Sequence, residues 1–128
     1  MNEPRFLSLT EVHRIHERSL ERYGGAQGVR DEGGVLSALD QPKHTFYYGR
    51  GDLFDIAAAY AFHLAQCQAF LDGNKRTGMG CALAFLSVNG VGAKFDPNQL
   101  YDAMIGIAEH RIEKEELATI LRDAAQSP

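Results

Sequence analysis

With 128 residues, 45% of them apolar and 23% charged, the chain can close a single core as one domain, residues 1–128, without disulfides or a structural metal. A net charge of -4 disfavours wrapping of duplex nucleic acid, because that binding rests on many Lys and Arg contacts to phosphates. The opening MNEPRFLSLT lacks the apolar core of a secretory signal, and the longest apolar run, IAAAYAF, is too short to cross a bilayer, so the expected compartment is the cytoplasm.

The first helix is announced by Ser8-Leu9-Thr10-Glu11, a capping-box pattern, followed by Leu9, Val12, Ile15, Leu20 and Tyr23 close to helical spacing and stopped by Gly24-Gly25. Val35, Leu36 and Leu39 predict a shorter second helix that ends at Pro42, with PKHTFYYGRGD extended beyond it. From Asp52 to about Gln68, apolar or small residues occupy nearly every face, which requires a central helix surrounded by others. A fourth helix begins near Asn74 and stops at Asn89-Gly90. Asp96-Pro97 opens a fifth, and Leu117, Ile120, Leu121 and Ala124 mark a sixth. No run of period-two strands emerges, although YYGRG and VGAKF could each supply a short extended piece. The expected fold is an all-α bundle. Cys67 and Cys81 fall in apolar helical segments without zinc-type spacing and read as reduced core residues.

The chemistry concentrates in Gln68–Gly78, QAFLDGNKRTG. A helix start leaves backbone N–H groups unpaired and carries partial positive charge, so it favours an anion. Gly73 permits close backbone approach, Asn74 can add a side-chain donor, and Lys75 and Arg76 add positive charge, Arg76 as a planar fork suited to phosphate. The competing reading of Lys75 and Arg76 is a solvated helix end. Asp72 would repel phosphate unless a cation lies between them, which makes it either a magnesium ligand or simply the helix N-cap.

These residues resemble the signature of the Fic/Doc family, His-x-Phe-x-Asp/Glu-Gly-Asn-x-Arg, with Phe70, Asp72, Gly73, Asn74 and Arg76 in register. SLERYGGAQGV, the small-residue central helix and ALAFLSVNGV extend the likeness toward the death-on-curing (Doc) branch. The resemblance implies a Fic/Doc-type helical bundle with a central buried helix and a short extended flap, here Thr45, Phe46, Tyr47 and Tyr48, that lines up a target segment. It implies ATP or another nucleoside triphosphate with Mg²⁺, and transfer of AMP or phosphate to a protein hydroxyl. Asp72 would hold the metal, and Gly73, Asn74, Lys75 and Arg76 the phosphates, with Phe70 anchoring the loop in the core.

AMP-transferring members commonly have Gly between Asn and Arg and a second Arg three residues after the first. Lys75 and Met79 stand there, which favours phosphotransfer of the Doc kind over AMP transfer. The family's catalytic His is replaced by Gln68, whose amide can orient a hydroxyl but cannot take its proton. Losing a general base costs about 10²- to 10⁴-fold. His63, five residues earlier, lies about 140° around a helix from Gln68 and reads as a core residue. None of the Ser or Thr residues is followed four residues later by Glu, the spacing of the family's self-silencing segment, so control is expected from an antitoxin chain in trans. The resemblance suggests a translation factor such as elongation factor Tu as protein target. Two alternatives stand beside the transferase: a non-catalytic nucleotide- or protein-binding regulator, favoured by Gln68, and an RNA-directed toxin, disfavoured by the acidic balance.

Overall fold

The computed structural model describes residues 2–126. These form six helices: α1 (Leu9–Tyr23), α2 (Glu32–Tyr47), α3 (Leu53–Cys67), α4 (Asn74–Val88), α5 (Pro97–Ala108) and α6 (Lys114–Gln126). Local chemistry sets most of their ends. Ser8 accepts from the Glu11 N–H while Glu11 returns a bond to the Ser8 N–H, and Gly24 closes α1 at φ 81°. Asp52 and Asp55 make the equivalent reciprocal pair at the start of α3. Asp96 caps α5 with Pro97 in its first turn.

The α3 helix is the axis of the bundle. Ile56, Ala57, Ala58, Ala59, Tyr60, Ala61, Leu64 and Ala65 are buried around its circumference, and α2, α4, α5 and α6 pack on it while α1 packs on α4. Small residues let α4 come close: a Cβ added to Gly78 would lie 2.7 Å from the Ala61 carbonyl oxygen, so only glycine fits that crossing. The Tyr60 hydroxyl accepts from the Leu7 N–H at 2.9 Å, tying the chain ahead of α1 to the core, and burial pushes its pKa up to about 12.

Two expectations fail in α2. The helix continues through Pro42 to Tyr47, so Thr45, Phe46 and Tyr47 are its last turn and Tyr48 its C-cap rather than an extended flap. Proline inside a helix costs about 3 kcal/mol. Burying Val35, Leu39 and Pro42 and packing Phe46 against the core returns about 1.5–3 kcal/mol for each large side chain, so tertiary burial outweighs the local rule. The Thr45 hydroxyl also donates to the Gln41 carbonyl at 3.0 Å. Phe46 and Tyr47 meet Phe6 at 6.2 and 6.1 Å between ring centroids, while Tyr48 stands 83% exposed. Neither YYGRG nor VGAKF forms a strand; among the described residues the β pairing is one isolated antiparallel bridge, Val29 with Phe70.

Candidate functional site

The motif occupies the passage from α3 to α4. Gln68 caps α3 in the left-handed region at φ 47° and ψ 42°, a conformation that costs a residue with a side chain about 1–2 kcal/mol. Such strain survives only where neighbours hold it. Here they do: the Ala69 carbonyl accepts from the Arg30 and Asp31 N–H groups at 2.7 and 3.0 Å, and the Leu71 N–H donates to the Gly28 carbonyl at 3.1 Å. Gln68 itself is exposed, immediately before this pinned segment.

The Asn74 side chain is engaged within the loop. Its Oδ1 accepts from the Phe70 N–H and its Nδ2 donates to the Phe70 carbonyl, each at 3.0 Å. The amide thereby satisfies both main-chain groups of a residue whose ring is fully buried, and one of its two Nδ2 hydrogens is committed there. Phe70 anchors the loop as anticipated, its ring stacked on His16 at 3.9 Å between centroids.

The N-cap of α4 is Gly73, at φ 77°, and not Asp72. The Asp72 carboxylate instead bridges two segments, accepting from the Ala26 N–H at 3.1 Å through Oδ2 and from the Gly73 N–H at 3.1 Å through Oδ1. A carboxylate has about four lone-pair positions, so capacity for a hard cation remains on it. Among the described residues no cluster of three or more His, Cys, Asp or Glu could hold a metal alone. Magnesium suits that circumstance, since it is usually held by one or two carboxylates together with substrate phosphates.

The α4 start carries no side-chain cap and no acid in its first turn, whereas α1, α2, α3 and α5 each begin with a side-chain cap. Lys75 and Arg76 are both exposed there. Each basic residue opposes the helix dipole by some tenths of a kcal/mol, a cost that a bound anion would reverse. The Arg76 guanidinium lies 4.3 Å from the centre of the Tyr23 ring, at the end of α1.

Two histidines invisible to motif reasoning stand beside the loop. His16 is 3% exposed, and its Nε2 donates to the Asp72 carbonyl at 2.8 Å. His13 meets Phe70 edge-on at 5.8 Å and lies 2.9 Å from Glu32. The signal for His16 was present: it falls between Val12 and Leu20 on the buried stripe of α1 at spacing four. Both histidines line a cleft of about 420 Å³ with Glu17, Leu20 and Gly28. His63 lies elsewhere, paired with the Lys114 Nζ at 3.1 Å; burial first and the Lys114 charge second hold its pKa down at about 4. Cys81 is buried as expected, but Cys67, at the end of α3, is exposed rather than a core residue. Partial desolvation still raises its thiol pKa, which disfavours the thiolate.

An uncapped, acid-free helix start with two cations and a carboxylate one residue ahead of its cap marks an α-helical protein whose α4 start favours an anion. The Fic/DOC family model matches residues 6–86, and the chain belongs to that family. It is 34% identical over 119 residues to the protein kinase doc of Escherichia phage P1, covering 92% of this chain and 94% of that one. It is 38% identical over 105 residues to the toxin Doc of Mycolicibacterium smegmatis, covering 77% and 79% respectively. These similarities place it with the Doc toxins. No helix among the described residues is long and apolar enough to cross a membrane.

Proposed function

We propose that this protein is a Doc-type toxin that transfers the γ-phosphoryl group of a nucleoside triphosphate to a hydroxyl of a target protein. The observation that carries the reading is the start of α4, alone among the first five helices in lacking a side-chain cap and furnished instead with Lys75 and Arg76. The kinase name of the phage P1 relative supports phosphate as the transferred group. In the reaction, the bond from the γ-phosphorus to the β,γ-bridging oxygen breaks, a bond to the acceptor oxygen forms, and the nucleoside diphosphate leaves.

The backbone N–H groups of the first α4 turn, with Lys75 and Arg76, would hold the phosphates in line and offset the charge that develops on them. Asp72 would hold a magnesium ion, which would supply charge neutralisation for the phosphates. Asn74, Phe70 and His16 hold the loop in shape from behind, so their contribution is geometry. Gln68 accepts a hydrogen bond from the target hydroxyl through its amide oxygen and orients it, while the proton departs to water or to a phosphate oxygen. Without a general base this route runs about 10²- to 10⁴-fold below a histidine-assisted one. The acceptor would be a translation factor such as elongation factor Tu, and restraint would come from an antitoxin chain covering the site.

Gln68 favours a second reading, a non-catalytic regulator that binds nucleotide or protein without transfer. Incubation of the protein and a candidate target with γ-labelled and, separately, α-labelled ATP tests both. Label on the target from the γ position alone is expected; label from the α position would show AMP transfer. No transfer by the native chain, with transfer appearing in Gln68→His, would refute the enzyme and establish the regulator.

A further inference from the structure

The phosphate reading leaves the end of α1 without a role, yet the fold brings it to the motif. A Cβ on Gly25 would lie 3.0 Å from Asp72 Oδ2, and the Ala26 N–H donates to that same oxygen, so the carboxylate pins the segment just after α1 to the motif. Tyr23, the last residue of α1, thereby stands beside Arg76. Its ring is 55% exposed and carries two guanidinium groups, Arg76 at 4.3 Å from the ring centre and Arg22 at 5.4 Å. Among the described residues no carboxylate pairs with either arginine.

That combination is unusual in its chemistry. Two cations gather on one ring near the positive end of α4, and neither is in ion-pair contact with a carboxylate among the described residues. Had a carboxylate been the partner of Arg76, it would have taken up to two of the five guanidinium donors and offset the charge. An aromatic face does neither: it restrains the long side chain while leaving its hydrogen-bonding capacity for a ligand.

We propose that Tyr23 is a positioning residue for Arg76, holding the guanidinium over the start of α4 so that less rotamer freedom is lost when it meets the terminal phosphates of a polyphosphate. Arg22 adds a longer-range attraction for the same anion. This inference rests on the phosphate reading of the α4 start, and the experiment separates the two.

Magnesium pyrophosphate is titrated calorimetrically into the full chain and into Tyr23→Phe, Tyr23→Leu, Arg76→Ala and the double variant Tyr23→Leu/Arg76→Ala, with circular dichroism confirming the fold of each. Tyr23→Leu should bind about 2- to 5-fold more weakly, the size of an exposed cation–π contact, and Tyr23→Phe should match the native chain because the ring face is kept. In the Arg76→Ala background, Tyr23→Leu should change nothing. Equal or tighter binding by Tyr23→Leu, a Tyr23→Phe variant as weak as Tyr23→Leu, or an undiminished Tyr23→Leu effect without Arg76 would each overturn the proposal. A native chain that binds no pyrophosphate would overturn the phosphate reading itself, and this inference with it.

Discussion

The role found for Asn74 leads to a prediction that separates scaffold from ligand contact. In Asn74→Ala both main-chain groups of Phe70 lose their partner at once, the N–H its acceptor and the carbonyl its donor. A buried polar group left unpaired costs about 1–3 kcal/mol. Water can reach part of this turn, since Asn74 is only half-buried, so the two losses together should come to about 2–4 kcal/mol. For a domain of this size that is a fall in Tm of roughly 8–16 °C. Asn74→Asp should recover little, because its carboxylate accepts from the Phe70 N–H but faces the Phe70 carbonyl without a donor. Urea and thermal unfolding followed by circular dichroism measure the loss. If Asn74→Ala keeps its stability within about 0.5 kcal/mol, yet pyrophosphate binding vanishes, the side chain serves the ligand and the reasoning is refuted.

Gly78→Ala sets a Cβ 2.7 Å from the Ala61 carbonyl, backbone against backbone, and should destabilise by about 1–3 kcal/mol in the same assay; a neutral substitution would show that α3 and α4 part easily. His63 contributes a pH dependence. Its pKa of about 4 in the folded chain lies below the ordinary value, so as pH falls the unfolded chain takes up the proton first, and stability declines from about pH 6.5 toward 4. Allowing for solvent screening at a partly exposed group, the loss should be about 1 kcal/mol by pH 5, and His63→Gln should flatten it; an unchanged slope in that variant would remove His63 as the cause. Asp72→Ala deprives the Ala26 N–H of its acceptor, and exchange of that amide should quicken by about fivefold, corresponding to roughly 1 kcal/mol. Unaltered exchange would mean that Asp72 does not hold the 24–30 segment in solution.

The chain announces its helices through signals that act within a few residues of one another. Ser8 with Glu11, Asp96 with Pro97, and the Asn89-Gly90 stop work by capping bonds and backbone preferences that need no distant partner, and each helix end they mark is where it was expected. The all-round apolar surface between Asp52 and Gln68 likewise determined by itself that α3 is central, since such a helix has no face fit for water. The place of the motif at the start of α4 follows from the same local grammar, whereas the burial of Phe70 was implied by the family resemblance.

Tertiary contacts decided what local rules could not. Pro42 sits inside α2 because the burial on either side of it exceeds the loss of one hydrogen bond, a balance set by α3 and the Phe6 region. Asn74 clasps its own loop because the Phe70 backbone, once buried, needed partners. His16 reached Asp72, and Tyr23 reached Arg76, across more than fifty residues of chain. Residue order specifies such meetings only through the packed whole: a side chain's hydrogen-bonding and charge preferences are local, whereas the identity of the group that satisfies them depends on which helices the core draws together.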